Sequence, residues 1–143
     1  MKTIRACAHT VSIVSLVLLG CTTTRSSSTA PHAVNSTVTT AYNQQLNKRT
    51  PISTFSLEDS VVCLVDFAWS DVTHSGGDHV VGWRWYRDSV LVSQSQKRMT
   101  FATSPYTTWT KRAASSLGSG QYKVETLLDG QVASSCEFQI KPQ

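Results

Sequence analysis

From residue 60 onward apolar and polar positions alternate with a period of two. In SVVCLVDFAWS, Val61, Cys63, Val65, Phe67 and Trp69 share one side and Asp66 lies on the other, which is the pattern of a strand with one buried face. HVVGWRWYRDS repeats it, with Val81, Trp83 and Trp85 set against Arg84, Tyr86 and Asp88. GQYKVETLLDGQVASSCEFQIK reads as a hairpin: Tyr122, Val124, Thr126 and Leu128 inward, a turn at Asp129–Gly130, then Cys136, Phe138 and Ile140 inward. Asp-Gly between two alternating runs supplies the positive-φ pair that a tight hairpin turn needs. Between these segments SVLVS and KRMTFAT are predicted strands, and SPYTTWT a loop or edge strand. No segment of this region carries a convincing helical period. The pattern therefore predicts one all-β sandwich of about seven short strands over residues 51–143.

The chain before residue 51 is patterned differently. Lys2 and Arg5 precede an apolar run from Val11 to Gly20. At about ten residues that run fits the core of an export signal and is too short to cross a bilayer, which takes roughly 20. Leu18-Leu19-Gly20-Cys21 resembles the bacterial lipobox. The resemblance implies that residues 1–20 are a lipoprotein signal peptide, cut just before Cys21, whose thiol receives diacylglycerol and whose new amine is acylated. The alternative is an ordinary secretory signal with an incidental cysteine. Each buried lipid CH₂ contributes roughly 0.8 kcal/mol and stable anchoring takes at least two such signals, so a multiply acylated Cys21 holds firmly. Thr22 follows the cysteine where Asp would favour the inner membrane, which implies a lipid anchor in the outer membrane with the domain facing the periplasm. Residues 21–50, rich in Thr, Ser, Asn and Gln, read as a flexible tether with a reach of roughly 30 Å. Within it AYNQQLNK, from Ala41 to Lys48, is a thin candidate for a short helix.

Composition adds two constraints. Of four cysteines, Cys7 leaves with the signal and Cys21 carries lipid, so Cys63 and Cys136 remain. An even number in an oxidising compartment, both on core-facing parity, predicts a Cys63–Cys136 disulfide between the sheets, with two separate buried thiols as the alternative. The bridge would close a loop of about 74 residues, worth roughly 4 kcal/mol by chain entropy. The chain carries 13 Lys and Arg against 9 Asp and Glu, a net +4, and loss of Lys2 and Arg5 leaves +2. No Lys/Arg stripe with interleaved aromatics is present, which argues against nucleic acid as a partner.

The Trp-bearing WRWY stretch from Trp83 to Tyr86, together with LGSGQYKVE and the ending Gly120, Tyr122, Val124, Asp129, Gly130, Phe138 and Ile140, resembles immunoglobulin- and fibronectin-III-like sandwiches of exported bacterial proteins. The likeness covers roughly Val61 to Ile140 and implies that Tyr122 sits near the tyrosine-corner position. It departs from antibody-type domains, which place the second Cys two residues after that Tyr, where this chain has Val124.

Candidate chemistry is sparse. Asp71, His74, Asp78 and His79 surround Gly76–Gly77, residue types that bind zinc or copper, but in no tight ligand spacing. His74, Asp78 and His79 are therefore weak metal candidates beside the plain alternative of a solvated loop, and no cofactor is expected. Ser residues occur without a G-x-S-x-G, S-x-x-K or H-E-x-x-H context, so the chain is expected not to be an enzyme. Tyr86, Tyr106 and Trp109, flanked by Arg84, Arg87, Lys111 and Arg112, form a predicted basic-aromatic binding patch. The reading that follows is a non-enzymatic lipoprotein held by outer-membrane lipid, binding or stabilising another cell-envelope protein. A module for peptidoglycan or lipopolysaccharide is the alternative, with a small inhibitor or metal-binding protein a further one, and oligomeric state is left open.

Overall fold

The Asp129–Gly130 turn forms as its chemistry dictates, with φ of 50° and 84°. It joins β7 (Gly120–Leu128) to β8 (Gln131–Ile140) in an antiparallel hairpin. This is a computed structural model, and it describes residues 29–41 and 49–142. The expected signal segment, Cys21 with its lipid, and the short helix candidate beyond Ala41 lie outside the described residues.

Six further strands precede the hairpin: β1 (His32–Thr39), β2 (Thr54–Phe55), β3 (Ser60–Ala68), β4 (Gly77–Arg87), β5 (Val90–Phe101) and β6 (Tyr106–Ala113). A single helical turn, α1 (Ala114–Leu117), follows β6. The strands make two sheets, ordered β1-β3-β6 and β2-β8-β7-β4-β5. Every pairing is antiparallel except β2 with β8, where Phe55 lies beside Ile140.

The inward parity read from the sequence is the one adopted. Val61, Cys63, Val65, Phe67 and Trp69 from β3 and the residue just past it meet Val81, Trp83 and Trp85 of β4 in one buried cluster. Phe138 stacks on Tyr122 at 5.3 Å between ring centres and meets Phe55 edge-on at 5.4 Å. Fully burying each such side chain contributes roughly 1.5–3 kcal/mol, which makes this cluster the main support of the fold. The Tyr122 hydroxyl reaches the carbonyl oxygens of Leu117 at 2.5 Å and Gly118 at 3.0 Å, so it ties β7 to the turn that enters it.

Two expectations need correction, and the expected disulfide is not formed in this structure. The segment expected as tether supplies β1: Thr37, Val38 and Thr39 are buried, and Val38 lies opposite Cys63. Polar composition misleads here because Thr is a good strand former and the ladder with β3 satisfies the backbone. Among the described residues the strands accordingly number eight. Cys63 and Cys136 are both free thiols, the first buried and the second half-buried. Burial pushes the Cys63 thiol far above its ordinary range, and the neighbouring Cys136 pushes it further.

Candidate functional site

SVLVS and KRMTFAT, predicted as two strands, run together as β5, at twelve residues the longest strand among the described residues. Its sequence does not alternate because it is the last strand of its sheet and most of its residues are exposed on both faces. Only its C-terminal end enters the core, through buried Phe101 and half-buried Met99. At its other end the turn at Asp88 and Ser89, both with positive φ, holds β4 and β5 in a tight hairpin. Asp88 is pinned to β7 by its backbone N–H donating to Gln121 O at 3.0 Å.

β6 closes the three-stranded sheet on the same side of the sandwich. Two contacts bring it to β5: Arg112 Nη2 donates to Ser93 Oγ at 2.9 Å, and Thr108 Oγ1 donates to Met99 Sδ at 3.4 Å. Together β5 and β6 form a lateral edge with an unusual surface. Among the described residues seven large apolar side chains are exposed, and four lie here: Val90 at 65%, Leu91 at 46%, Val92 at 43% and Trp109 at 51%. The strands also carry Lys97, Arg98, Lys111 and Arg112 and contain no carboxylate. Exposed apolar groups beside charge of one sign are the composition of a docking surface.

The seven residues predicted as one patch are not brought together. Arg84 and Tyr86 point to the outer face of the five-stranded sheet, because Trp83 and Trp85 take the inward parity of β4. There the Tyr86 hydroxyl donates to Glu125 Oε2 at 3.1 Å, and Lys123 Nζ lies 4.9 Å above the Tyr86 ring. Arg87 Nη1 donates to Leu117 O at 3.3 Å, which commits it to the turn around Tyr122. Tyr106 stacks on Phe101 at 4.6 Å against the core. Trp109, Lys111 and Arg112 alone share the β6 edge, and Arg112 already bridges to β5. Sequence reasoning missed Val90, Leu91, Val92, Lys97 and Arg98. Their signal was the loss of alternation after a turn, the mark of a strand covered on neither face.

The metal candidates also part company. His74 Nδ1 pairs with Asp71 Oδ2 at 2.8 Å on an exposed loop, and Asp78 accepts from Thr100 Oγ1 at 2.6 Å. His79 Nδ1 meets Asp129 Oδ2 at 2.6 Å, and its Nε2 meets Gly76 O at 2.8 Å. Among the described residues no group of three His, Cys, Asp or Glu side chains is placed to hold a metal ion. Burial pushes His79 down, yet the hydrogen bonds to Asp129 and Gly76 and the charges of Asp129 and Asp78 outweigh it and hold the imidazole above its ordinary value. Gly76 is fixed by space as well, since a Cβ there would lie 3.0–3.1 Å from Pro31, Phe101 and Trp69.

A shallow hollow of about 360 Å³ lies on the outer face of the five-stranded sheet, lined by Gly82, Arg84, Gln94, Gln96 and Leu127 among others. It exists because Gly82 has no side chain where its neighbours on β4 do.

No family model and no curated relative matches the chain. Among solved structures, an immunoglobulin-like protein of Pseudomonas aeruginosa aligns over 78% of this chain and 96% of its own, at 3% identity and a TM-score of 0.51. The fold is immunoglobulin-like. An alkylpurine DNA glycosylase of Pseudomonas fluorescens, bound to DNA containing an abasic site analogue, aligns over 78% of this chain at 12% identity and a TM-score of 0.54. The immunoglobulin-like chain matches only 30% of that enzyme's length. At these identities the likeness carries architecture alone.

Proposed function

We propose that this protein is a non-enzymatic outer-membrane lipoprotein whose immunoglobulin-like domain binds another cell-envelope protein through the β5–β6 edge. The observation that carries the reading is the concentration of exposed Val90, Leu91, Val92 and Trp109 beside four cations on one side of the sandwich. The anchor rests on the lipobox-like Leu18-Leu19-Gly20-Cys21 and the short apolar run before it. With Cys21 acylated, β1 begins only eleven residues after the lipid, so the domain works close to the membrane. In an oxidising periplasm the Cys63 and Cys136 thiols, on facing sheets, join as the inter-sheet disulfide. Thiol titration of the denatured mature protein with and without reductant checks this, with two additional thiols appearing on reduction.

Capture from native outer membranes by chemical cross-linking tests the binding reading. The comparison is the wild type, a Leu91→Ser/Trp109→Ala variant and a Val132→Ser control, which alters an exposed apolar residue on the five-stranded sheet away from this edge. One stoichiometric protein, lost only in the edge variant, is the expected result. Equal capture by all three would contradict the site.

The hollow over Gly82 favours a second reading, a glycan module for peptidoglycan or lipopolysaccharide. Arg84, Gln94 and Gln96 present polar groups of the kind that sugar hydroxyls pair with. Sedimentation with purified sacculi, lost in Gly82→Leu and kept in the edge variant, would move the function there.

A further inference from the structure

We propose that β5 is an acceptor strand, and that the partner adds an extended, carboxylate-bearing segment to its open edge. This rests on the β5–β6 reading above and specifies the chemistry of the partner. The five-stranded sheet ends at β5, and among the described residues no strand pairs with its far side. At about 3.3 Å per residue its twelve residues offer an edge of roughly 40 Å.

Natural sheets blunt such edges with proline, bulges, short strands or charges. β5 is long and holds no proline, and the one irregularity in its pairing with β4 lies near the tip, between Trp85 and Tyr86. Its remaining guard is the charge of Lys97 and Arg98, which repels a like edge and which a carboxylate-bearing strand would neutralise. An open row of backbone donors and acceptors gives affinity to any extended segment, and side chains on the two faces then set which one is accepted.

Here the side chains are informative. Lys97 lies opposite Val81 on the inward parity and Arg98 opposite Val80 on the outward parity, and both are exposed. One cation therefore stands on each face of the edge at the same level. An incoming strand would meet both, one through each of two successive side chains. Carboxylates at those positions satisfy them, and valine or threonine further along would cover Val90 and Val92. A second copy of the chain suits the edge poorly, because β5 would bring two more cations and no acidic residue.

The test uses the purified full chain and defined peptides of about ten residues: one alternating glutamate with valine and threonine, its lysine counterpart, and the glutamate peptide with proline at its centre. The wild type is expected to bind the glutamate peptide at least about tenfold more tightly than either of the others, equivalent to about 1.4 kcal/mol. Amide exchange across Val90–Phe101 should slow in the complex. Lys97→Glu/Arg98→Glu, changing two exposed residues, should reverse the preference to the lysine peptide.

Equal affinity for the glutamate peptide with and without proline would overturn strand addition and leave only charge attraction. Concentration-dependent dimerisation that Lys97→Glu/Arg98→Glu leaves intact and that blocks the peptides would make the occupant a second copy. No binding of any peptide would also overturn the proposal. Capture of an envelope protein lost in Leu91→Ser/Trp109→Ala would survive these last failures, so the two readings can fail separately.

Discussion

His79 shows how one side chain can join three parts of the chain. It sits on β4 against Phe101, with one ring nitrogen on the Asp129 carboxylate of the β7–β8 turn and the other on the Gly76 carbonyl. Both neighbours are acceptors, so only the doubly protonated imidazolium satisfies both. Its folded pKa is raised. The stabilisation is fully present below the unfolded value of about 6.5 and is lost as pH rises through the higher folded value. Urea midpoints of the wild type should therefore fall across that window, whereas His79→Gln, which cannot titrate, should give a flat profile. Tyr122 offers a second test at this scale. Tyr122→Phe removes the hydroxyl at the Leu117 and Gly118 carbonyls, and denaturant unfolding should show a loss of about 1–2 kcal/mol.

Among the elements, β1 differs most from what its composition suggests. Half of its residues are Thr, Ser or Asn, and nothing in that string alternates strongly enough to mark a buried face. The face becomes visible only through its partner, since each β1 residue takes its environment from the β3 residue opposite. Val38→Ala should cost about 2 kcal/mol in denaturant unfolding, where a free tether would show no change. The outer side of the same sheet is closed by charge. Asp66 accepts from Arg49 at 2.5 Å, from Thr107 at 2.7 Å and from Asn35 at 3.3 Å. Burial raises the Asp66 pKa, but the hydrogen bonds from Arg49, Thr107 and Asn35 and the Arg49 charge more than reverse that. Its contribution is present above the usual carboxylate value and lost as pH falls through the lowered one. Asp66→Ala leaves Arg49 only 10% exposed without that partner. A loss of about 2 kcal/mol is expected, below the buried-pair range because water still reaches the site.

At the level of the whole molecule, the strands that cross the core were legible and the edges were not. β4, β7 and β8 each bury one face, and β3 buries its core face along its length while Val62 and Leu64 on its other face are buried as well. Burial therefore wrote the alternation of Tyr122 to Ile140 into the sequence clearly and that of Val61 to Trp69 only through its core-facing positions. β5 buries almost nothing, and its exposed VLVSQSQKR stretch carries no parity from which a face could be read. The predicted patch failed for a related reason. Arg84 and Tyr86 share the outer face of the five-stranded sheet, whereas Trp109 lies on β6 of the other sheet, so residues that pattern alike in the sequence are not brought together. The site needed two strands from different sheets, and only their contacts in space, Arg112 with Ser93 and Thr108 with Met99, put Trp109 on the same side of the molecule as Val90–Val92.

The most direct test of that shared surface is positional photo-cross-linking in native membranes, with a photoreactive residue placed in turn at Val92, Trp109, Val34 and Val132, all exposed. Adducts to one envelope protein are expected from Val92 and Trp109 and none from Val34 or Val132. Adducts from Val34 or Val132, with Val92 and Trp109 silent, would contradict it and place the working surface on the sheet faces.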